Sequence, residues 1–189
     1  LEYPALRRQS VEILGRLGPD AADAVPALLK YVDDDDPEMR ADILTTLGHI
    51  GPGAKEGIDV VMKALDDQDE EVVVSAVYAI GKIGPEAVDC VNGVKGLLDG
   101  GDPRFQTVCA WALVKVMPDN EEYRKIALPL LIKALERDDD SVRSEAASTL
   151  GAIGSAAQGA VAKLQELAEN DANPEVRELA SEALREIGQ

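Results

Sequence analysis

The stretch Leu47-Gly48-His49-Ile50-Gly51-Pro52-Gly53-Ala54 decides the fold, because the chain repeats it. It also reads Leu14-Gly15-Arg16-Leu17-Gly18-Pro19-Asp20-Ala21 and Ile80-Gly81-Lys82-Ile83-Gly84-Pro85-Glu86-Ala87. Looser copies are Leu113-Val114-Lys115-Val116-Met117-Pro118, Leu150-Gly151-Ala152-Ile153-Gly154 and Leu184-Arg185-Glu186-Ile187-Gly188. The copies begin at 14, 47, 80, 113, 150 and 184, so the steps are 33, 33, 33, 37 and 34 residues. A fixed period of this size marks a stacked repeat, in which each unit buries its apolar face only against its neighbours. Within the phrase, Gly51 follows the last apolar residue of a helix and allows a left-handed cap, and Pro52 stops the helix. The Gly-x-x-Gly-x-Gly pattern of residues 48–53 is therefore a helix stop. A dinucleotide loop would follow a strand.

Each repeat reads as two helices. The first carries apolar residues at helical spacing: Val25, Leu28, Leu29, Val32; then Ile58, Val61, Met62, Leu65; then Leu128, Leu131, Ile132, Leu135. An acidic turn follows, such as Asp33 to Asp36 or Asp138 to Asp140. The second helix commonly opens on proline (Pro4, Pro37, Pro103, Pro174), which costs no hydrogen bond at that position. Asp beside it caps the open N–H groups. None of the acidic turns has the order of a calcium loop. The spacing predicts second helices over 4–17, 37–50, 70–83, 103–116, 140–153 and 174–187. It predicts first helices over 21–32, 54–65, 87–98, 119–135 and 156–169. That makes about eleven helices. The longer step of 37 places four extra residues before Leu128, expected as an added turn with a local change of stacking. Gly100-Gly101 and Phe105 mark the third repeat as the most divergent.

Composition sets further limits. Hydrophobic residues make up 46% and aromatics only 3%, so the core must be aliphatic and Ala-rich. The net charge of −17 argues against a nucleic-acid or anionic-membrane binder, whose affinity rests on cationic surface. No apolar run approaches the roughly 18 residues of a membrane helix, so no membrane insertion is expected. The two cysteines, Cys90 and Cys109, lack metal or disulfide spacing and align with small core residues. No cofactor and no metal site is expected. The chain opens at Leu1 inside a repeat, which reads as a monomer or a piece of a longer protein, cytoplasmic unless a targeting signal lies outside it.

The phrases Pro-Glu-Met-Arg…Leu-Gly-His-Ile-Gly and Pro-Glu-Val-Arg…Ala-Leu-Arg-Glu-Ile-Gly resemble HEAT repeats of the short, bilin-lyase-like bacterial kind. The resemblance covers nearly the whole chain. It implies an all-α, right-handed α-solenoid of antiparallel helix pairs, with residues 1–189 as one domain. The units would be a leading half repeat, 1–18, and repeats at about 19–51, 52–84, 85–117, 118–154 and 155–189. It also implies a ladder between an Asp of the turn and an Arg early in the second helix. Arg7, Arg40, Arg143 and Arg177 match the Arg position, and Val73 and Gln106 interrupt it. Two enzymatic relatives fail on their residues. Deoxyhypusine hydroxylases need paired His-Glu motifs, and this chain has one His, His49, followed by Ile50. HEAT-like DNA glycosylases use a basic concave face. The family's usual role is a scaffold, with a bilin or prosthetic-group lyase, or a lyase-accessory subunit, as the alternative.

In this fold the second helices line the concave groove. Counting from the proline at the helix start, core positions fall two, six, ten and thirteen residues later: Met39, Ile43, Leu47 and Ile50. Positions eight and twelve should face the groove. Position eight reads Glu12, Thr45, Tyr78, Trp111, Ser148, Glu182, and position twelve reads Arg16, His49, Lys82, Lys115, Ala152, Glu186. The only Trp thus sits beside a Tyr, next to a row of bases on an acidic chain. Aromatic anchors and a cation row suit an acidic or amphipathic peptide. The expected site is Arg16, Thr45, His49, Tyr78, Lys82, Trp111 and Lys115, a non-catalytic surface for a protein or peptide partner. His49 has no paired nucleophile or acid to make it catalytic.

Overall fold

A computed structural model describes residues 4–98 and 103–188, and among them every regular element is helical. The Gly100-Gly101 turn lies outside these residues. The chain divides into two compact units, Leu1–Met117 and Pro118–Gln189. The division falls where the repeat step lengthens to 37 residues.

Unit 1 holds α1 (Pro4–Leu17), α2 (Val25–Leu28), α3 (Pro37–Ile50), α4 (Ile58–Lys63), α5 (Glu70–Ile83), α6 (Val91–Leu98) and α7 (Pro103–Val116). Unit 2 holds α8 (Glu121–Ala134), α9 (Asp140–Ile153), α10 (Val161–Asn170) and α11 (Pro174–Ile187). The second helices α1, α3, α5, α7, α9 and α11 have the bounds that the spacing predicts. Of the roughly eleven helices expected, only seven are full α-helices, each of 14 residues: these six and α8. The other first helices begin as seven-residue 3-10 segments (Gly18–Ala24, Gly51–Gly57, Gly84–Cys90, Gly154–Ala160) and turn α-helical only for four to ten residues. All four open on Gly, and in three of them the next residue is Pro, which has no N–H to give an i→i−4 bond. In the fourth pair the Gly-Pro lead is missing and four residues are added. There Asn120 accepts a bond from the Tyr123 N–H, and α8 runs as one α-helix.

The acidic turns act as caps. The carboxylates of Asp36, Asp69 and Asp139 accept from backbone N–H groups two or three residues on, and Asn173 does the same for α11. At the other end, Gly18, Gly51, Gly84 and Gly154 take φ of 56°, 70°, 77° and 71°. Gly51, Gly84 and Gly154 combine this with ψ of −136°, −142° and −142°. This is the mirror image of extended backbone rather than the expected left-handed helical cap, and only glycine adopts it readily. It lets the chain enter the next 3-10 segment directly.

Stacked second helices supply most of the core of unit 1, and first and second helices share that of unit 2. Ile43, Leu44, Leu47, Ile80, Ile83 and Leu113 are sealed in unit 1, and Leu131, Leu150 and Leu164 in unit 2. Each such side chain contributes on the order of 1.5–3 kcal/mol relative to exposure. Cys90 and Cys109 are buried as expected, and burial pushes their thiols up to about 11 and about 12. The ladder also forms. Arg7 pairs with Asp34, while Arg40 with Asp67 and Arg143 with Asp171 are two-pronged, at 2.8–2.9 Å. The Arg40, Arg143 and Arg177 guanidinium groups also bond carbonyls of the turn before their own helix, which ties each turn to the helix it precedes. Val73 is apolar and buried, and offers no donor at this position.

Candidate functional site

Every residue of the expected strip lies on α1, α3, α5 or α7, all within unit 1. Position twelve lies in the last turn of each of these helices. Arg16 and His49 are exposed there, and Lys82 and Lys115 are half-buried. A base in the last turn also complements the negative end of the helix dipole, so the row has a structural cause independent of any ligand. Arg16 is not an open cation. Its guanidinium bonds Glu12 one turn back, at 2.6 Å.

Position eight departs from the expectation. Tyr78 is half-buried and Thr45 half-buried, but Trp111 does not face the groove: it is 4% exposed. The reason lies one repeat back. A Cβ added to Gly81 would run into the Trp111 ring, lying 2.9 Å from Cε3 and closer still to Cζ3 and Cη2. A Cβ on Gly48 would lie 2.9 Å from Tyr78 Cδ1 and Cε1. The glycine in the last turn of one second helix is thus a socket for the position-eight side chain of the next. Trp111 sits deep in its socket and Tyr78 more shallowly.

The rings form a row. Tyr78 stacks on Trp111 with centroids 5.7 Å apart and planes at 18°, and His49 meets Tyr78 edge-on at 5.9 Å. Lys82 Nζ lies 5.6 Å from the Tyr78 centroid and 5.9 Å from that of Trp111, within cation–π reach of both. Partial burial, followed by the Lys82 charge, holds the His49 imidazole below its ordinary value and favours its neutral form. Thr45 donates its hydroxyl to Ser75 Oγ at 3.3 Å. Two hollows flank His49. One, of about 650 Å³, is lined by Val11, Gly15 and Arg16 of α1 and by Asp42, Thr45 and His49 of α3. The other, of about 460 Å³, is lined by Gly15, Gly48, His49, Tyr78 and Lys82.

The socket glycines Gly15, Gly48 and Gly81 escape a residue-by-residue reading. Their signal is present all the same: Gly48 and Gly81 each precede an aromatic residue by 30 positions. Among the described residues no group of His, Cys, Asp and Glu could hold a metal ion, and no helix is long and apolar enough to cross a membrane.

A paired helix unit with Arg–Asp rungs, repeated along the chain, is the pattern of one family. The HEAT repeat profile matches residues 2–81 and 92–185. The chain belongs to the HEAT repeat family. Solved structures agree on an α-solenoid of helical repeats. An engineered protein from the Northeast Structural Genomics Consortium is 26% identical, with a TM-score of 0.60 over 96% of this chain and 90% of its own. A designed armadillo repeat protein in complex with the peptide (KR)4 is 22% identical, with a TM-score of 0.56 over 95% and 91%. A computationally designed armadillo protein for modular peptide recognition is 22% identical, with a TM-score of 0.53 over 97% and 94%. No curated protein matches the chain. The HEAT family is thus established without the bilin-lyase-like subtype.

Proposed function

We propose that this HEAT array is a non-catalytic interaction module, and that the groove of unit 1 holds an amphipathic peptide segment of a protein partner. The observation that carries the reading is the partly open Tyr78 ring, clamped between Trp111 and His49 with Lys82 above it, on a chain of net charge −17. A rigid ring with a cation at its face offers both apolar area and an anion contact, the pairing found at binding hot spots. Trp111 serves this surface from beneath, by fixing Tyr78 and Lys82. His49, Thr45, Tyr78, Lys82 and Lys115 offer the contact atoms, and Arg16 borders them. That designed armadillo arrays take peptides supports a groove of stacked second helices as a peptide track. No observation favours the lyase alternative.

The test is selection of binders from a random peptide display library on the immobilised chain, with affinities measured for Lys82→Glu and His49→Ala. Loss of a hot-spot contact costs about 2 kcal/mol, so Lys82→Glu should weaken selected peptides roughly 30-fold. Peptides that bind both variants as well as the unmodified chain would place the binding surface elsewhere.

A further inference from the structure

The sockets of unit 1 are not all filled by a position-eight side chain. Gly48 receives Tyr78 and Gly81 receives Trp111, in each case the side chain 30 residues on. Gly15 is the same position of α1, and the side chain 30 residues on is Thr45. Thr45 is too short to reach. The nearest atoms to a Cβ built on Gly15 are Thr46 Oγ1 at 3.1 Å and the imidazole Nδ1 of His49 at 3.3 Å, so the glycine is edged by the His49 ring and carries no position-eight ring. The space that a position-eight ring would take belongs instead to the hollow of about 650 Å³, lined by Gly15, Thr45 and His49 with Val11 and Ala41 among its walls. The row Trp111, Tyr78, His49 runs toward this hollow, and its last ring, His49, is exposed.

We propose that the hollow on Gly15 receives an aromatic side chain from the peptide partner, seated as Tyr78 seats on Gly48 and Trp111 on Gly81. The molecule supplies the template for the occupant twice over, once in its core at Trp111 and once half-buried at Tyr78. A guest ring gains a glycine floor, apolar contact with Val11 and Ala41, and an edge contact with the imidazole of His49. The rim selects what flanks the ring. Glu12, Glu38, Asp42 and Glu71 line the hollow, and its two guanidiniums, Arg8 and Arg16, are already bonded to carboxylates. A neutral or basic neighbour suits this rim better than an acidic one. The inference rests on the groove reading above and adds to it the identity of one anchor.

Two measurements test it separately from that reading. The first follows amide shifts of the ¹⁵N-labelled chain during titration with N-acetyltryptophanamide and, in parallel, N-acetylleucinamide. Saturable shifts centred on Gly15, Thr45, Thr46 and His49 are expected, with at least fivefold preference for the indole. Thr45→Tyr, which supplies the ring from within, should abolish them and raise the melting temperature. Thr45→Leu is the second blocker if the phenol ring is not accommodated, with retained amide shifts outside the hollow as the check on folding. Equal response to the leucine probe, shifts centred elsewhere, or full response in both folded variants overturns the proposal. The second uses the display-selected peptides. Peptides that lose affinity with Lys82→Glu but keep it with Thr45→Tyr would sink the aromatic anchor and leave the groove standing. Peptides indifferent to both would sink the two readings together.

Discussion

Units 1 and 2 share one packing scheme and differ in what they place on it. Both cap second helices with an Asp or Asn, and both tie turns with Arg–Asp rungs, Arg40 to Asp67 in one and Arg143 to Asp171 in the other. At positions eight and twelve, unit 1 carries Thr45 with His49, Tyr78 with Lys82 and Trp111 with Lys115. Unit 2 carries Ser148 with Ala152 and Glu182 with Glu186. Even the socket glycine serves differently. Gly81 houses an indole ring, whereas Gly151 faces the Glu186 carboxylate and the backbone of Ala183. The scheme that builds the fold therefore leaves open the positions that give a unit its surface, and only unit 1 has used them for rings.

The contrast can be broken most strongly at the ring. Trp111→Ala should cost about 4 kcal/mol in denaturant unfolding of unit 1, as for a buried aromatic truncation. A cost below about 1 kcal/mol would mean that the ring is not core. The socket comes next. Gly81→Ala should cost about 2 kcal/mol, because the rigid indole cannot yield and the clash outweighs the helix propensity gained. Gly151→Ala should cost less, since a carboxylate tip swings away and the resistance left is that of Ala183, with Cα at 2.9 Å and Cβ at 3.1 Å. Gly96→Ala, with nothing within 4 Å, should be neutral or stabilising by up to about 1 kcal/mol, and its melting temperature sets the baseline.

What the units share should respond alike. Arg40→Ala and Arg143→Ala should each cost about 2 kcal/mol, the value of a lost charge-assisted two-pronged bond. The hydrogen bond from Arg40 holds the Asp67 carboxyl below its ordinary value of 3.8, and that from Arg143 does the same for Asp171. An unfolded carboxylate takes its proton first, so this stabilisation is complete above that ordinary value. It is lost as pH falls toward and through the depressed folded values. Each Ala variant should flatten this acid limb by a similar amount, and a flattening confined to one unit would end the equivalence. The smallest effect belongs to His49. Its imidazole should titrate below 6.5 by NMR, so its contribution to stability falls as pH drops below that value. Lys82→Gln should move the titration up but not back to the ordinary value, since burial, the larger cause, remains.

The sequence carried the architecture almost whole, because period, Pro starts and Gly stops are local signals. The six second helices follow from them residue for residue. Their partners did not, because an apolar spacing cannot tell 3-10 from α. The groove positions were half legible. Position twelve faces outward at Arg16 and His49, as helical phase alone requires. Trp111 is buried because of a glycine on another helix, and phase along one helix is blind to its neighbour. The Gly81–Trp111 and Gly48–Tyr78 pairings become readable only when two repeats are aligned and compared position by position.

The glycine sockets also bear on how such a surface arises over generations. A groove that must be carved from a sealed core needs many coordinated changes, each with its own loss of stability. Here the vacancy is already part of the period, at a position where no side chain is needed to hold the helices together. On the proposal above, a short residue at position eight leaves a socket open to a guest ring, as Thr45 does at Gly15, and a long one closes it, as Tyr78 does at Gly48. An array of this kind can gain or lose recognition points one substitution at a time while its scaffold stays under unchanged selection.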